Sequence, residues 1–447
     1  MKKILALILA AAMILSLAAC NGSKDTTAPD KPAETTTEAP NNDPIKIGST
    51  DYITGVLAAY MVWSRVGTAL AFKHINDAGG VCGHPLEQVK VDIGGADVAT
   101  MMQRMTELKE AGCVAITTTT TTNPAQWAAD EKIPTFVTNN VSTQVTIANY
   151  NPYLYFTGFS AWGISKIIAN AAVGEQGLKS FAYIGVDTDD TRDAEKALLV
   201  EGQKLNPDFK CVGSYRMDYS DDKYATIVST VMSQADQPEM ILQQGGGANF
   251  LGFVQQANMY NMYDRYDAYS DLVTDASATS ALIATGEYPY GHIHGSCFIR
   301  YWDTENKELA KWVADYKALS KEMNDGVELV PSGAALSSYL GIMTIAKAIE
   351  YCIKNNLDYK KPEDLEKALT TNKWSDFAGE HFYRDFDHHL TFDGWYVTSA
   401  DGGDALGHAA IGTDKDICYH WDQWLPTLED MKNIAVEMGY PDRFKDF

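Results

Sequence analysis

Residues 45–80, IKIGSTDYITGVLAAYMVWSRVGTALAFKHINDAGG, decide the fold. Ile45-Lys46-Ile47-Gly48 reads as a short strand that ends in a glycine turn. Residues 57–78 then change period: Ala69, Phe72 and Ile75 recur at helical spacing, and Gly79-Gly80 stops the helix. A strand handing over to an amphipathic helix that ends on glycines is half of a βαβ unit.

Reading outward, the unit repeats. Val89-Lys90-Val91-Asp92-Ile93 is the next strand. Residues 98–111 place Met101, Met105 and Leu108 on one helical face, with Gly112 as the stop. Residues 113–118 are a strand, Pro124 opens a short helix, and residues 133–137 are a strand again. This order implies a parallel sheet with helices on both faces. The rhythm restarts at Phe181, with FAYIGV, CVGSYRM, EMILQQ and DAYSD as strands and a helix over 192–205. A fifth strand, GSCFIRYW, runs to Trp302. Helical segments at 305–323, 333–355 and 362–372 follow, then an aromatic β-like region at 377–400 and a tail. The expected architecture is α/β, two doubly wound parallel-sheet lobes joined by a hinge. Open sheets of this kind bind ligands beyond the carboxyl ends of their strands, so two facing edges make a cleft.

Upstream, residues 1–20 are MKKILALILAAAMILSLAAC. Lys2 and Lys3 precede an apolar run over 4–15, too short to span a bilayer, and Leu17-Ala18-Ala19-Cys20 closes it. The stretch resembles a bacterial lipoprotein signal, which implies cleavage before Cys20 and acylation of its thiol. Residues 20–44 hold no aromatic or large aliphatic residue and many Thr, Pro, Asp and Glu, the composition of a disordered tether.

The folded remainder is 45% hydrophobic over the whole chain's count and supports two cores. After residue 20 no apolar stretch is long enough to cross a membrane, so the body is read as soluble. The net charge of −23, more negative once Lys2 and Lys3 leave, argues against a nucleic-acid partner, which needs a basic face. With Cys20 lipidated, Cys82, Cys113, Cys211, Cys297, Cys352 and Cys418 remain, without a C-x-x-C pair for zinc and with pairing undecided.

Residues 45–92 resemble the opening of the type I periplasmic binding proteins of the leucine/isoleucine/valine class. The matching features are the strand, the Gly55 turn, Tyr60, Gly67 within the helix, and Ile75-Asn76-Asp77-Ala78-Gly79-Gly80 running into Gly83. ITTTTTTNPAQWAADEKIPTFVTNN (116–140) is similar to that family's hydroxyl-rich loop, helix and strand. Tyr383-Arg384-Asp385-Phe386-Asp387-His388 echoes an element near its last interdomain crossing. The resemblance covers residues 45–400. It implies two lobes, 45–157 with 301–382 and 158–300 with 383–447, that close over a small ligand and deliver it to an ABC permease.

The site follows from the same resemblance together with local chemistry. The threonine run at 117–122 ends a strand and leads into Asn123-Pro124, a good N-cap and first helical residue. Helix amides and hydroxyls together suit a carboxylate, and Thr118 and Thr119 fall where the family binds one. The next loop places Val141 and Ser142 as an amide and a hydroxyl contact, and Tyr60 stacks over the ligand. The second lobe departs from the pattern. Asp190 stands where the family carries an aromatic, and Gly246 lies in a glycine run where another aromatic often contributes. Asp271 is the nearest match for the acid that meets the ligand's ammonium, with Asp275 in reserve. These departures point to a ligand with a polar or cationic end.

The acidic run at 187–193 lacks the glycine and glutamate of a calcium loop and reads as helix capping. His292-x-His294 and His388-His389 lack matched ligands, so no metal is expected. No catalytic signature is present, so no enzyme and no cofactor is expected. The reading is a lipid-anchored, extracytoplasmic, monomeric solute-binding protein of an ABC importer that captures an amino acid or a polar relative. A surface receptor of the same fold is the alternative, and a secreted enzyme comes last.

Overall fold

The computed structural model describes residues 42–55, 58, 61–94, 98–119, 124–138, 142–218, 222–246, 248–271, 276–401, 410–411 and 416–447. Cys20, the signal and nearly all of the tether lie outside these residues, as do Tyr60, Val141 and Asp275.

Strand β1 (Ile45–Asp51) leads to helix α1 (Val62–Asp77). Then come β2 (Leu86–Asp92), α2 (Val98–Glu110), β3 (Ala115–Thr118), α3 (Pro124–Glu131), β4 (Thr135–Val137), α4 (Thr143–Ala148) and β5 (Leu154–Phe156). The five strands are parallel in the order β2-β1-β3-β4-β5. After α5 (Ala161–Ala169) the pattern recurs: β6 (Ser180–Val186), α6 (Asp189–Leu205), β7 (Lys210–Met217), α7 (Tyr224–Ser233), β8 (Met240–Gln244), α8 (Ala248–Met259), β9 (Asp267–Tyr269), α9 (Ala276–Thr285) and β10 (Ile293–Cys297). These strands are again parallel, in the same order, β7-β6-β8-β9-β10.

The chain then returns to the first lobe. Helices α10 (Lys307–Met323), α11 (Gly333–Lys354) and α12 (Pro362–Thr371) follow, and α10 and α11 both pack on α1. Gly67 makes the α1–α11 contact possible, because a Cβ there would lie 2.2 Å from the Ala335 carbonyl oxygen. Hairpin β11 (Trp374–Asp376) and β12 (Gly379–His381) precedes β13 (Gly394–Ala400), which joins the second sheet antiparallel to β10. The stretch read from sequence as a tail is folded. It forms β14 (Ala410–Ile411) and β15 (Ile417–Tyr419), both paired to β13, then α13 (Trp421–Trp424) and α14 (Leu428–Glu437). The fifth strand stops at Cys297 and not at Trp302, because Phe298 and Ile299 leave the sheet for the core between the lobes.

Three segments connect the lobes: residues 157–160, 298–306 and 382–393. Each supplies one phenylalanine to a shared cluster. Phe159 stacks on Phe298 with ring centroids 4.0 Å apart, and Phe392 meets both edge-on at 5.8 and 5.7 Å. Trp424 covers Phe298 and Phe392 at 5.2 Å and donates its indole N–H to the Phe392 carbonyl at 2.9 Å. Burial of each such ring is worth about 1.5–3 kcal/mol, so the cluster ties all three connections into one core. The third connection also extends the first sheet: Leu390 donates to the Phe156 carbonyl and the Phe156 amide to that of His388, both at 2.8 Å.

Among the described residues Cys82, Cys113, Cys211, Cys352 and Cys418 are free thiols, and Cys297 donates its thiol to the Ile299 carbonyl at 3.2 Å. Among the described residues no helix is long and apolar enough to cross a membrane.

Candidate functional site

In each sheet the strand order reverses beside the first strand, between β1 and β3 and between β6 and β8. The crevice beyond the carboxyl ends at such a point is the expected ligand position.

In the first lobe the loop after β1 is staked down by Asp92. Its carboxylate accepts from the amides of Ile53, Thr54 and Gly94 at 3.0, 3.2 and 2.9 Å, and from the Thr54 hydroxyl at 2.6 Å. These donors, with the Thr54 hydroxyl foremost, pull the Asp92 carboxyl down to about 2. Gly55 turns with φ +85°, and a Cβ there would meet the Gly94 oxygen at 2.6 Å. The tie fixes residues 53–55 in a turn outside the helix, and α1 starts at Val62 and not near residue 57.

At the end of β3, Thr118 is committed to the sheet. Its hydroxyl accepts from Thr50 at 2.9 Å and its carbonyl from the Thr138 amide at 2.9 Å. Thr119, one residue on, differs: its hydroxyl oxygen is buried with no hydrogen-bond partner. Ser337 of α11 donates to the Thr138 carbonyl at 2.8 Å and braces the loop after β4 from behind. Ser142 in that loop is buried, and its carbonyl accepts from Thr146 at 3.3 Å.

The second lobe's edge is acidic, and most of the acid is spoken for. Asp187 takes the Arg192 guanidinium at 2.8 and 2.9 Å and Arg216 at 3.3 Å, and Arg216 lies 4.3 Å over the Tyr183 ring. The Arg192 hydrogen bonds hold the Asp187 carboxyl below its usual range. The Thr188 amide donates to Thr191 Oγ1 at 3.1 Å, capping α6. The run 187–193 thus caps and braces a helix. Asp190 is half-buried, and its charge acts on neighbouring Asp193. After β8, Gly245 turns with φ +131° and the Gly246 carbonyl accepts from Asn249 at 3.2 Å. Asp271 is half-buried, directly after Ser270, whose amide donates to the His294 carbonyl at 2.8 Å.

Of the residues singled out from sequence, Thr118 is the last residue of β3, and Thr119, Ser142, Asp190, Gly246 and Asp271 sit beyond strand carboxyl ends. Sequence reasoning missed four others there. Gln244 Nε2 at the end of β8 and Trp302 Nε1 in the second connection are buried without partners. Thr143 and Asp193 meet across the lobes: the Thr143 amide donates to Asp193 Oδ2 at 2.7 Å, while Asp193 Oδ1 has no hydrogen-bond partner. Burial pushes the Asp193 carboxyl up to about 6, against the opposing pull of Thr143 and Lys196. Unpartnered buried polar groups of this kind are uncommon in native folds, and each needs a partner from water, an ion or a ligand.

The paired histidines have structural partners. His292 and His294 share Asp267 at 2.9 and 3.2 Å. His388 and His389 lie against the carbonyls of Leu154 and Leu390 at 3.1 and 2.9 Å, and burial pulls both down to about 4.

Two α/β lobes of like strand order, linked three times, have the type I periplasmic binding fold, in which ligands sit beyond the carboxyl ends of the strands. The chain belongs to the periplasmic binding protein family, whose model matches residues 44–404. Solved structures agree on the fold. An ABC transporter substrate-binding protein from Sphaerobacter thermophilus superposes with a TM-score of 0.70 at 18% identity, covering 84% of this chain and 98% of that one. The substrate-binding protein LivJ from Streptococcus pneumoniae, in complex with isoleucine, gives 0.66 at 17% identity over 84% and 99%. A solute-binding protein from R. palustris in complex with benzoate gives 0.65 at 16% identity over 82% and 95%. A search of curated proteins finds no match.

Proposed function

We propose that this protein is the lipid-anchored, extracytoplasmic solute-binding component of an ABC importer, and that it captures an amino acid or a related polar small molecule by closing its lobes. The observation that carries the reading is the set of unsatisfied polar groups at both sheet edges, Thr119 foremost. A ligand contacting both edges shifts the lobes toward closure by its differential affinity for the closed state. The lobes divide near residues 157, 300 and 382. Thr119 and Ser142, with the amide of Val141, hold the ligand's carboxylate; Tyr60 covers it. Asp190 and Asp271 meet its polar or cationic end beside Gly246. The protein acts by binding and not by catalysis, works as a monomer, and hands its ligand to a permease from a tether fixed at Cys20.

A thermal-shift screen against amino acids, amides, polyamines and aromatic acids tests the reading, because a ligand that binds only the native state raises its melting temperature. A raised melting temperature with one class supports it, and a flat screen across all classes overturns it. Anchoring is tested separately: the wild type should partition into membrane or detergent and Cys20→Ala should not.

A further inference from the structure

The amide of Thr143, the first residue of α4, follows Ser142, where the proposed function seats a ligand carboxylate. That amide is already taken. Asp193 of α6, 1% exposed, reaches across from the second lobe and accepts from it at 2.7 Å. We infer that Asp193 is an internal anion standing in for ligand on the Thr143 amide, and that a carboxylate ligand must displace it before the lobes close productively. The inference rests on the proposed function for its ligand site and adds a residue that sets specificity.

The geometry shows why the contact is replaceable. Thr143 alone supplies donors to the Asp193 carboxylate: its amide meets Oδ2 at 2.7 Å, and Oδ1 is buried with no hydrogen-bond partner. A buried carboxylate needs several donors to offset its lost hydration. The charged groups around it do not supply them. Lys196 and Asp190 lie on its own helix, and Lys196 is paired with Glu437 of α14. Lys166 of α5 is directed to Asp430 at 4.0 Å, and α4, TQVTIA, carries no charge. A second carboxylate brought to the same amide would repel Asp193, so binding requires Asp193 to withdraw or to take up a proton. Ligands without a carboxylate at this point escape the competition. Asp193 therefore discriminates between ligand classes, and it does so more weakly as the pH falls.

Two measurements test this on the full-length protein, wild type and Asp193→Ala. The first needs no ligand: amide hydrogen exchange in the peptide carrying Thr143. The contact predicts protection in the wild type and faster exchange in the variant. Equal exchange in the two proteins overturns the inference and leaves the transport reading untouched. The second titrates L-isoleucine and benzoate by calorimetry. Loss of the competing anion should tighten the better-bound probe by about tenfold or more at neutral pH, the scale of one charge-assisted hydrogen bond. Wild-type affinity for that probe should rise on acidification toward about pH 5 and lose this slope in Asp193→Ala. A variant that exchanges faster yet gains affinity for neither probe overturns the role in specificity. Failure of the proposed function looks different, because it is a flat thermal-shift screen with the Thr143 contact intact.

Discussion

The two lobes share one strand order and differ in almost everything at their edges. The first, built on β1 to β5, presents threonine and serine hydroxyls, and its loop carboxylate, Asp92, is saturated by four donors. The second, built on β6 to β10, presents carboxylates. Some are neutralised by arginine, as Asp187 is, while Asp193 is buried with one oxygen unmet. Fold and site are thus specified separately: apolar periodicity sets the sheets, and a few residues after each strand set the chemistry. The lobes also differ in what covers them. The first is closed by α10 to α12, the second by β13 and the C-terminal helices.

The sharpest way to break this comparison is Trp424→Ala. Removing a fully buried indole from the cluster joining all three connections should cost about 3–5 kcal/mol. Urea unfolding should show the loss, and hydrogen exchange should place it in the second lobe and the connections before the first sheet. Next comes Thr119→Ala. If the first lobe's hydroxyl edge holds the ligand, affinity should fall by about 1.5–3 kcal/mol. The ligand-free melting temperature should barely move, since that hydroxyl has no partner to lose. Calorimetry with the best ligand from the screen decides it, and unchanged affinity moves the site. Gly67→Ala probes the first lobe's cover. The new methyl would collide with the Ala335 carbonyl, and prying α1 from α11 should cost about 1–3 kcal/mol in the same urea assay.

The smallest effect concerns pH. Asp193 is harder to ionise in the folded protein, about 6 against an ordinary 3.8, so the folded state binds the extra proton. Its contribution is therefore unfavourable above about pH 6 and is relieved as pH falls through 6 toward 4. Asp193→Asn should raise the ligand-free melting temperature near neutral pH and lose that advantage near pH 4. A shift of equal size at both values would contradict the assignment of the burial penalty to this group.

Much of the architecture was legible in the sequence because helix and strand periods are local. The run from Ile45 to Gly80 announced β1, α1 and the glycine stop, although Val62 and not residue 57 opens the helix. What escaped was whatever depended on a distant partner. Residues 417–424 carry no period: a three-residue strand and a four-residue helix are fixed by β13 and by the phenylalanines around Trp424, whereas α14 has Met431, Ile434 and Ala435 at helical spacing and was legible. The end of the fifth strand was misplaced for a related reason. Phe298 has strand-like neighbours, but its ring partner is Phe159 from another connection. The strand rhythm placed Thr119 and Ser142 after β3 and β4, where the structure has them. Asp193 was hidden within an acidic run that reads as capping, since nothing local reveals a hydrogen bond to an amide fifty residues away.

The three connections also set the order in which the molecule can be made. A chain synthesised from its N-terminus finishes β5 long before α11 exists to cover α1, and Trp63 waits 267 residues for the Val330 carbonyl to which its indole donates. The second sheet likewise waits for β13 and Trp424. Neither lobe is a continuous segment, so a nascent or truncated chain cannot bank one finished domain while the other is still being made. Contacts this distant in sequence raise the loop-closure entropy met before they can reward folding, and they slow it. The same weaving that lets two lobes share one core therefore delays completion of that core until the last residues of the chain are made.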